Sequence, residues 1–153
     1  MMRQLMMTLM GLILSIGAMA QSADALYKEG KALYDEKKYQ QAFPKLKAAA
    51  EKGHKKAQYR VGLCYDKGKG VTENDPEAVK WYQKSANQDY AKAQYQLGKC
   101  YLNGEGIGKD EAKAKTWLKK AVRNKKDGDE IKDKIRKNAA EGKEDAKRML
   151  TLL

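Results

Sequence analysis

One segment of this chain occurs twice, at an offset of 36 residues: AQYRVGLCY at 57–65 returns as AQYQLGKCY at 93–101. The same offset relates further pairs downstream: Gly68 and Gly104, Gly70 and Gly106, Val71 and Ile107, Ala78 and Ala114, Trp81 and Trp117, Ala86 and Val122. A period of about 20–50 residues is typical of stacked supersecondary units, each of which buries its apolar face against its neighbours. The chain is therefore predicted to be a repeat array.

Each unit has the pattern of two helices. In the first, apolar or small residues recur at helical spacing at Ala57, Val61, Cys64 and Tyr65, and the glycines that follow indicate its end. The second helix is predicted to open at Asp75-Pro76, with Asp75 as the N-cap, and at Asp110-Glu111 in the next unit. Small residues are expected to let the two helices of a unit approach closely: Gly62, Gly98, Ala78 and Ala114. No segment alternates with period two, so the fold class is all-α.

The repeat sets the expected boundaries. Residues 23–54 form a degenerate copy with a tight turn, 55–90 and 91–124 are the two clear units, and 125–153 form C-terminal helices that cap the array. The segment 125–137 is mostly charged and is interpreted as an inserted, partly exposed helix. In the last helix, Ala146 and Leu150 are expected to take the buried places of Ala57 and Val61.

Residues 1–20 have a different character from the rest. One basic residue, Arg3, precedes an apolar run that ends in Ala18-Met19-Ala20. This pattern predicts a secretory signal peptide that is cleaved after Ala20, with a membrane anchor as the alternative. Cleavage would remove one positive charge from the net +12 and leave +11 on residues 21–153. The expected location is the periplasm or the exterior of a bacterium.

The repeated residues resemble the Sel-one-like repeat family, a branch of the tetratricopeptide superfamily. The resemblance is carried by A-x-Y-x-[VL]-G-x-x-Y, then G-x-G-[VI], an acidic residue and A-x-x-W, in the segments 57–86 and 93–122. It implies a right-handed α-solenoid of helical hairpins. It also implies a non-catalytic scaffold or adaptor that acts through protein–protein contacts.

Few residues are available for catalysis or metal binding, since the chain has one His and two Cys. His54 is interpreted as a turn-packing residue, because no nucleophile or acid partner accompanies it. Cys64 and Cys100 occupy the same repeat position. A disulfide or redox pair is the alternative there, but the expected spacing of packed helices of about 8–10 Å favours free, buried thiols.

Two other motifs have a structural explanation. The glycine-rich segment 104–108 lacks the preceding strand and the Gly-Lys-Ser/Thr ending of a phosphate loop, so it is predicted to join two helices. An acidic cluster without calcium-loop spacing is interleaved with lysines and indicates a solvated helix start: Asp127, Asp129, Glu130 and Asp133. No cofactor and no metal are expected.

The candidate binding residues lie on the first helix of each unit, which lines the concave side in tetratricopeptide-like arrays. Counting back from the helix glycines gives an aromatic ladder of Tyr27, Tyr59 and Tyr95. The flanking basic residues are Lys31, Lys56, Lys92 and Lys99. This arrangement suits an acidic or extended peptide. The alternative is that the tyrosines belong to the repeat framework and the lysines keep it soluble.

The basic residues comprise 27 Lys and only five Arg. Because phosphate and base recognition favour the planar fork of Arg, no nucleic-acid partner is expected. The predicted function is an exported, non-catalytic scaffold for a protein or peptide ligand, with no integral membrane span in 21–153. The alternatives are a binder of the envelope surface or of a cell-wall polymer, held by basic charge, and a hydrolase of the β-lactamase-like kind.

Overall fold

A computed structural model describes residues 21–153, and the predicted signal peptide lies outside them. The described residues form eight helices and no strand. The helices are α1 (Ala23–Asp35), α2 (Tyr39–Glu51), α3 (Lys55–Lys67), α4 (Asp75–Asn87), α5 (Ala91–Asn103), α6 (Glu111–Arg123), α7 (Gly128–Ala140) and α8 (Glu144–Leu152).

The helices pack in chain order. Helices α1 and α2, α3 and α4, and α5 and α6 form three hairpins, and α2 packs on α3 as α4 packs on α5. Each hairpin thus contacts mainly its neighbours along the chain, which defines a solenoid. The predicted all-α solenoid of three hairpins with a C-terminal helical cap is confirmed.

A glycine brings the two helices of each hairpin together. A Cβ atom added at Gly62 would lie 2.6 Å from the Tyr82 ring, and one at Gly98 would lie 2.8 Å from Cγ of Leu118. Gly30 meets Leu46 at 2.8 Å in the same way. Real Cβ atoms do not approach neighbours this closely, so the prediction that small residues permit the close approach is confirmed.

The glycine-rich loops contact the preceding hairpin. A side chain at Gly70 would overlap the Tyr39 carbonyl at the start of α2, and one at Gly106 would overlap the Asp75 carbonyl at the start of α4. Both glycines have positive φ, +72° and +67°. Each loop therefore connects two helices within a unit and also fits closely against the unit before it.

The second helix of the first clear unit begins one residue earlier than predicted. Asn74, and not Asp75, is the N-cap of α4, and its side-chain oxygen accepts the N–H of Glu77 at 3.1 Å. Asp75 is already in the first turn. In the next unit Asp110 caps α6 by accepting the N–H of Lys113 at 2.9 Å, as predicted. Asn74 and Asp110 are 36 residues apart, so the repeat offset itself identifies the correct cap.

The C-terminal helices close the end of the core. Ile131 and Ile135 of α7 are buried and belong to the same apolar cluster as α5 and α6. In α8, Ala146 is buried as predicted, but Leu150 is 39% exposed and Met149 is fully buried. The prediction for Leu150 is wrong because α8 lies on the core through positions 146, 149 and 152, a three-residue spacing that differs from that of α3.

Candidate partner-binding face

The first-helix face is the surface formed by α1, α3 and α5, and it carries the predicted tyrosines. The structure brings Tyr59, Tyr95 and Lys92 together around a cavity of about 170 Å³. Three residues of α7 complete its lining: Glu130, Ile131 and Lys134. We call this site the tyrosine cavity. Its lining combines two aromatic rings with two lysines and one glutamate.

The two tyrosines of this cavity differ in environment. Tyr59 is half-buried, with its ring 5.3 Å from that of Tyr90 and 6.0 Å from that of Tyr82. Burial raises the pKa of Tyr59 to about 12, so its hydroxyl stays protonated and can donate a hydrogen bond. Tyr95 is only 7% exposed, and Nζ of Lys134 lies 5.0 Å from its ring centroid. Tyr59 is therefore the more accessible ring.

Tyr27 lies apart from this cavity. Its ring stacks on His54, with centroids 4.3 Å apart. Nδ1 of His54 accepts the N–H of Ala57 at 3.1 Å, and Nε2 lies 3.2 Å from the Asp24 carboxylate. Burial lowers the pKa of His54, against the opposing effect of Asp24. The prediction that His54 is a turn residue is confirmed, and the structure adds that it is the N-cap of α3.

The four predicted lysines do not form one basic groove. Lys31 pairs with Asp35 on its own helix, and Nζ of Lys92 lies 3.4 Å from the Glu130 carboxylate. Nζ of Lys99 lies 4.0 Å from carboxylate oxygens of both Glu105 and Asp145. Lys56 lines a different cavity. Of the four, Lys92 alone lines the tyrosine cavity.

Both cysteines are free and buried, as predicted. Burial raises the pKa of the Cys64 thiol to about 11 and that of Cys100 to about 12. Such thiols are protonated at neutral pH, and the thiolate is the reactive form. The two cysteines therefore behave as small apolar core residues.

The remaining motifs are structural too. Residues 104–110 join α5 to α6, and Asp129 and Glu130 lie in the first turn of α7, as predicted. Within residues 21–153, no three His, Cys, Asp or Glu side chains are grouped so that they could hold a metal ion. None of the helices in this range has the length and apolar character needed to cross a bilayer.

A larger cavity, of about 570 Å³, lies where the turns between successive hairpins meet. We call it the turn-edge cavity. Its lining comes from the start of α3, the α4–α5 turn, the end of α6 and the α6–α7 turn: Lys55, Lys56, Asp89, Tyr90, Lys120, Arg123, Asn124, Lys125, Lys126 and Asp127. Of this set, sequence reasoning named only Lys56 as a candidate binding residue. The signal it missed is the clustering of basic residues at equivalent turns.

The helical hairpins, their spacing and their interlocking loops define a helical-repeat solenoid of the tetratricopeptide-like class. The family model of the Sel1 repeat matches residues 55–90 and 91–125. Both matched segments coincide with the hairpins α3–α4 and α5–α6, and the sequence resemblance is thereby confirmed. The chain is a Sel1-like repeat protein.

Solved structures of the same family are similar in fold. A Sel1 repeat protein from Oxalobacter formigenes is 37% identical, with a TM-score of 0.64 over 76% of this chain and 47% of that one. A protective antigen of uropathogenic Escherichia coli with an SLR fold is 28% identical, with a TM-score of 0.65 over 86% of this chain and 29% of that one.

Among curated proteins, an exopolysaccharide production negative regulator of Rhizobium meliloti is 39% identical over 64 residues. The match covers 42% of this chain and 24% of that protein. The chain thus spans less than half the length of these three proteins. Sel1 repeats mediate protein–protein interaction, and their fold is typically a non-catalytic scaffold.

Proposed function

We propose that this protein is an exported adaptor that binds a protein or peptide through its first-helix face. The observation that carries the proposal is the tyrosine cavity, where two rings of equivalent repeat position meet beside Lys92 and Lys134. Tyrosine offers a large apolar surface with a polar tip at low entropic cost, which suits it to interfaces. A carboxylate of an extended segment would pair with these lysines. Lys92 would then leave Glu130, its partner in the unbound protein.

Export rests on the sequence pattern of residues 1–20. The corresponding location is the bacterial periplasm or the cell exterior. The mass of the protein purified from its producing cell tests this part. A chain that begins at Gln21 in the envelope or culture fluid supports export, and an intact chain that begins at Met1 in the cytosol contradicts it.

We further propose that the protein acts without catalysis. The single histidine has both ring nitrogens engaged, by Ala57 N–H and by Asp24. The two thiols are buried and protonated. Activation of a nucleophile commonly requires an adjacent base that is free to accept its proton. Turnover of a β-lactam or a wall fragment that a single substitution abolishes would contradict this proposal.

The binding proposal is tested by affinity capture from an envelope fraction with the purified protein and two variants. Tyr59→Ala removes the accessible ring of the tyrosine cavity. Tyr65→Ala is the matched control, because Tyr65 is also a half-buried tyrosine of α3 but packs edge-on against Phe43, 5.5 Å away.

We expect Tyr59→Ala to weaken capture of a specific partner by about 1–3 kcal/mol, the range of an interface hot spot, and Tyr65→Ala to retain it. Equal loss in both variants, accompanied by equal loss of melting temperature, would assign Tyr59 to the framework. Binding that disappears at high salt but is equally strong in Tyr59→Ala and in the unaltered protein would favour the alternative, a binder of anionic envelope polymers.

A further inference from the structure

The turn-edge cavity carries an excess of positive charge. Six of its lining residues are cationic and two are acidic. Across residues 21–153, the ion pairs involve other lysines and arginines, and none of these six cations lies within ion-pair distance of a carboxylate. Gathering like charges in one concave site is unfavourable unless an anion binds there.

Of the two carboxylates, Asp89 is already engaged. Its Oδ1 accepts the side-chain N–H of Gln94 at 2.9 Å. Nζ of Lys55 reaches only a backbone oxygen, that of Gln88, at 3.4 Å, and Nζ of Lys120 lies over the Trp117 ring at 4.4 Å. The Nζ groups of Lys55 and Lys120 thus contact only neutral groups, which an incoming carboxylate can replace.

The wall of the cavity is fixed by one side chain. Oδ1 of Asn124 accepts the backbone N–H groups of Lys126 and Asp127 at 3.0 and 3.3 Å, and its Nδ2 donates to the Asp89 carbonyl at 3.3 Å. Gly128 adds a close backbone approach, since a Cβ there would lie 2.5 Å from the Val122 carbonyl. The α6–α7 turn is therefore tied to the α4–α5 turn, and the backbone that carries Lys125 and Lys126 is held in place.

We propose that the turn-edge cavity is a second binding site, separate from the tyrosine cavity, for a short acidic segment of a protein partner. Five of its six cations are lysines, which bind carboxylates as mobile point charges. Tyr90 supplies an aromatic wall, and its ring also contacts Tyr59. A volume of about 570 Å³ accommodates a few residues of a peptide. The two sites would then hold two parts of one partner or two partners at once.

The test measures the anisotropy of a fluorescent hexaglutamate peptide titrated with the purified protein. Lys120→Gln with Arg123→Gln removes two cations of the cavity. Lys115→Gln with Lys132→Gln is the control, because it removes the same charge from exposed positions that line neither the turn-edge nor the tyrosine cavity. We expect the first pair to weaken binding about tenfold and the second less than about twofold. Circular dichroism checks that each variant folds.

Asn124→Ala provides an independent arm, because it changes no charge. If the fixed turn contributes to the site, Asn124→Ala should bind hexaglutamate about threefold more weakly. If only a diffuse positive field attracts the peptide, the affinity of Asn124→Ala should be unchanged. No binding of hexaglutamate, equal weakening in both double variants, or an unchanged affinity in Asn124→Ala with its fold intact would overturn the proposal. Inorganic tripolyphosphate that binds at this cavity when hexaglutamate does not would also overturn it and assign the site to a phosphate ligand.

Discussion

The first hairpin and the two Sel1 hairpins share their helix packing but differ in their loops. In all three, a glycine of the first helix faces the second: Gly30, Gly62 and Gly98. The first hairpin connects its helices by a tight turn, 36–38, whereas the others use longer glycine-rich loops. The long loops fit against the preceding hairpin, and among the described residues no hairpin precedes the first. The G-x-G motif therefore serves contacts between units, and the helix glycine serves contacts within a unit.

The largest effects expected from this comparison are those of side chains added to the glycine-rich loops, of which Gly106→Ala is the example tested. A Cβ at this position would overlap the Asp75 carbonyl, and the backbone has φ +67°. Backbone atoms cannot shift as a side chain can, so we expect the free energy of unfolding to fall by about 2–4 kcal/mol in urea denaturation. Gly53→Ala is the control, since Gly53 also has positive φ, +87°, but open space around it. Gly53→Ala should lower the free energy of unfolding by about 1 kcal/mol. Equal losses in Gly53→Ala and Gly106→Ala would mean that the contact of the loop with α4 contributes nothing to stability.

Contacts within the hairpins give the next prediction. Gly62→Ala meets the rigid Tyr82 ring at 2.6 Å, whereas Gly98→Ala meets Cγ and Cδ2 of Leu118 at 2.8 and 3.0 Å. We expect losses of about 2–3 kcal/mol for the first and about 1–2 kcal/mol for the second by the same denaturation. The reverse order would show that the rings adapt more readily than the leucine. Gly30→Ala should cost at least as much as Gly98→Ala, because its Cβ would meet Cγ of Leu46 at 2.8 Å and also the Leu46 backbone nitrogen at 3.0 Å.

A smaller effect is expected at the turn before the first Sel1 hairpin, where His54 caps α3. The pKa of folded His54 is below its ordinary value because of burial, so the unfolded chain binds more protons there. This contribution to stability is present above about pH 6.5 and is lost as the pH falls through the lowered pKa. We expect the melting temperature to decline between pH 7.5 and 5, a window above the carboxylate titrations.

His54→Asn is the matched test, since asparagine is also a good N-cap but does not titrate. It should flatten the decline between pH 7.5 and 5. An unchanged slope would assign the pH dependence to another group. The equivalent residue of the next turn, Tyr90, forms no side-chain cap bond. Burial raises the pKa of Tyr90 to about 12, so no titration is expected there between pH 7.5 and 5.

Reduction is expected to have no effect on the stability of the two Sel1 hairpins, each of which contains one thiol. Cys64 and Cys100 are free, buried and protonated. A reductant should therefore leave the melting temperature unchanged, and a thiol reagent should modify both residues only after unfolding. A mass two units lower without reductant would reveal an intramolecular bridge and contradict the structure.

The sequence predicted those features that recur at the repeat offset. The two clear hairpins, their helix glycines and the buried cysteine positions all follow from one alignment of the chain with itself, because stacked units repeat their buried contacts. The C-terminal copy was predicted less well. Leu150 was assigned from Val61 of α3, but α8 packs on the core through positions 146, 149 and 152.

The sites were harder to predict, because they combine residues that are distant in sequence. The predicted ladder resolves into Tyr59 and Tyr95 around one cavity, which α7 completes, while Tyr27 stacks on His54. The turn-edge cavity joins two turns and the ends of two helices that are distant in sequence. A periodic pattern identifies equivalent positions, but it does not say which of them a later helix covers or which turns meet.

The central claim, that the G-x-G loop couples each unit to the one before it, is tested most directly by native-state hydrogen exchange of the protein and of Gly106→Ala. In a solenoid, a lost contact between units weakens those units first. We predict faster exchange in 75–87 and 111–123, the helices on either side of the contact, and little change in 23–51. Faster exchange confined to the loop 104–110, or an equal increase along the whole chain, would contradict the claim.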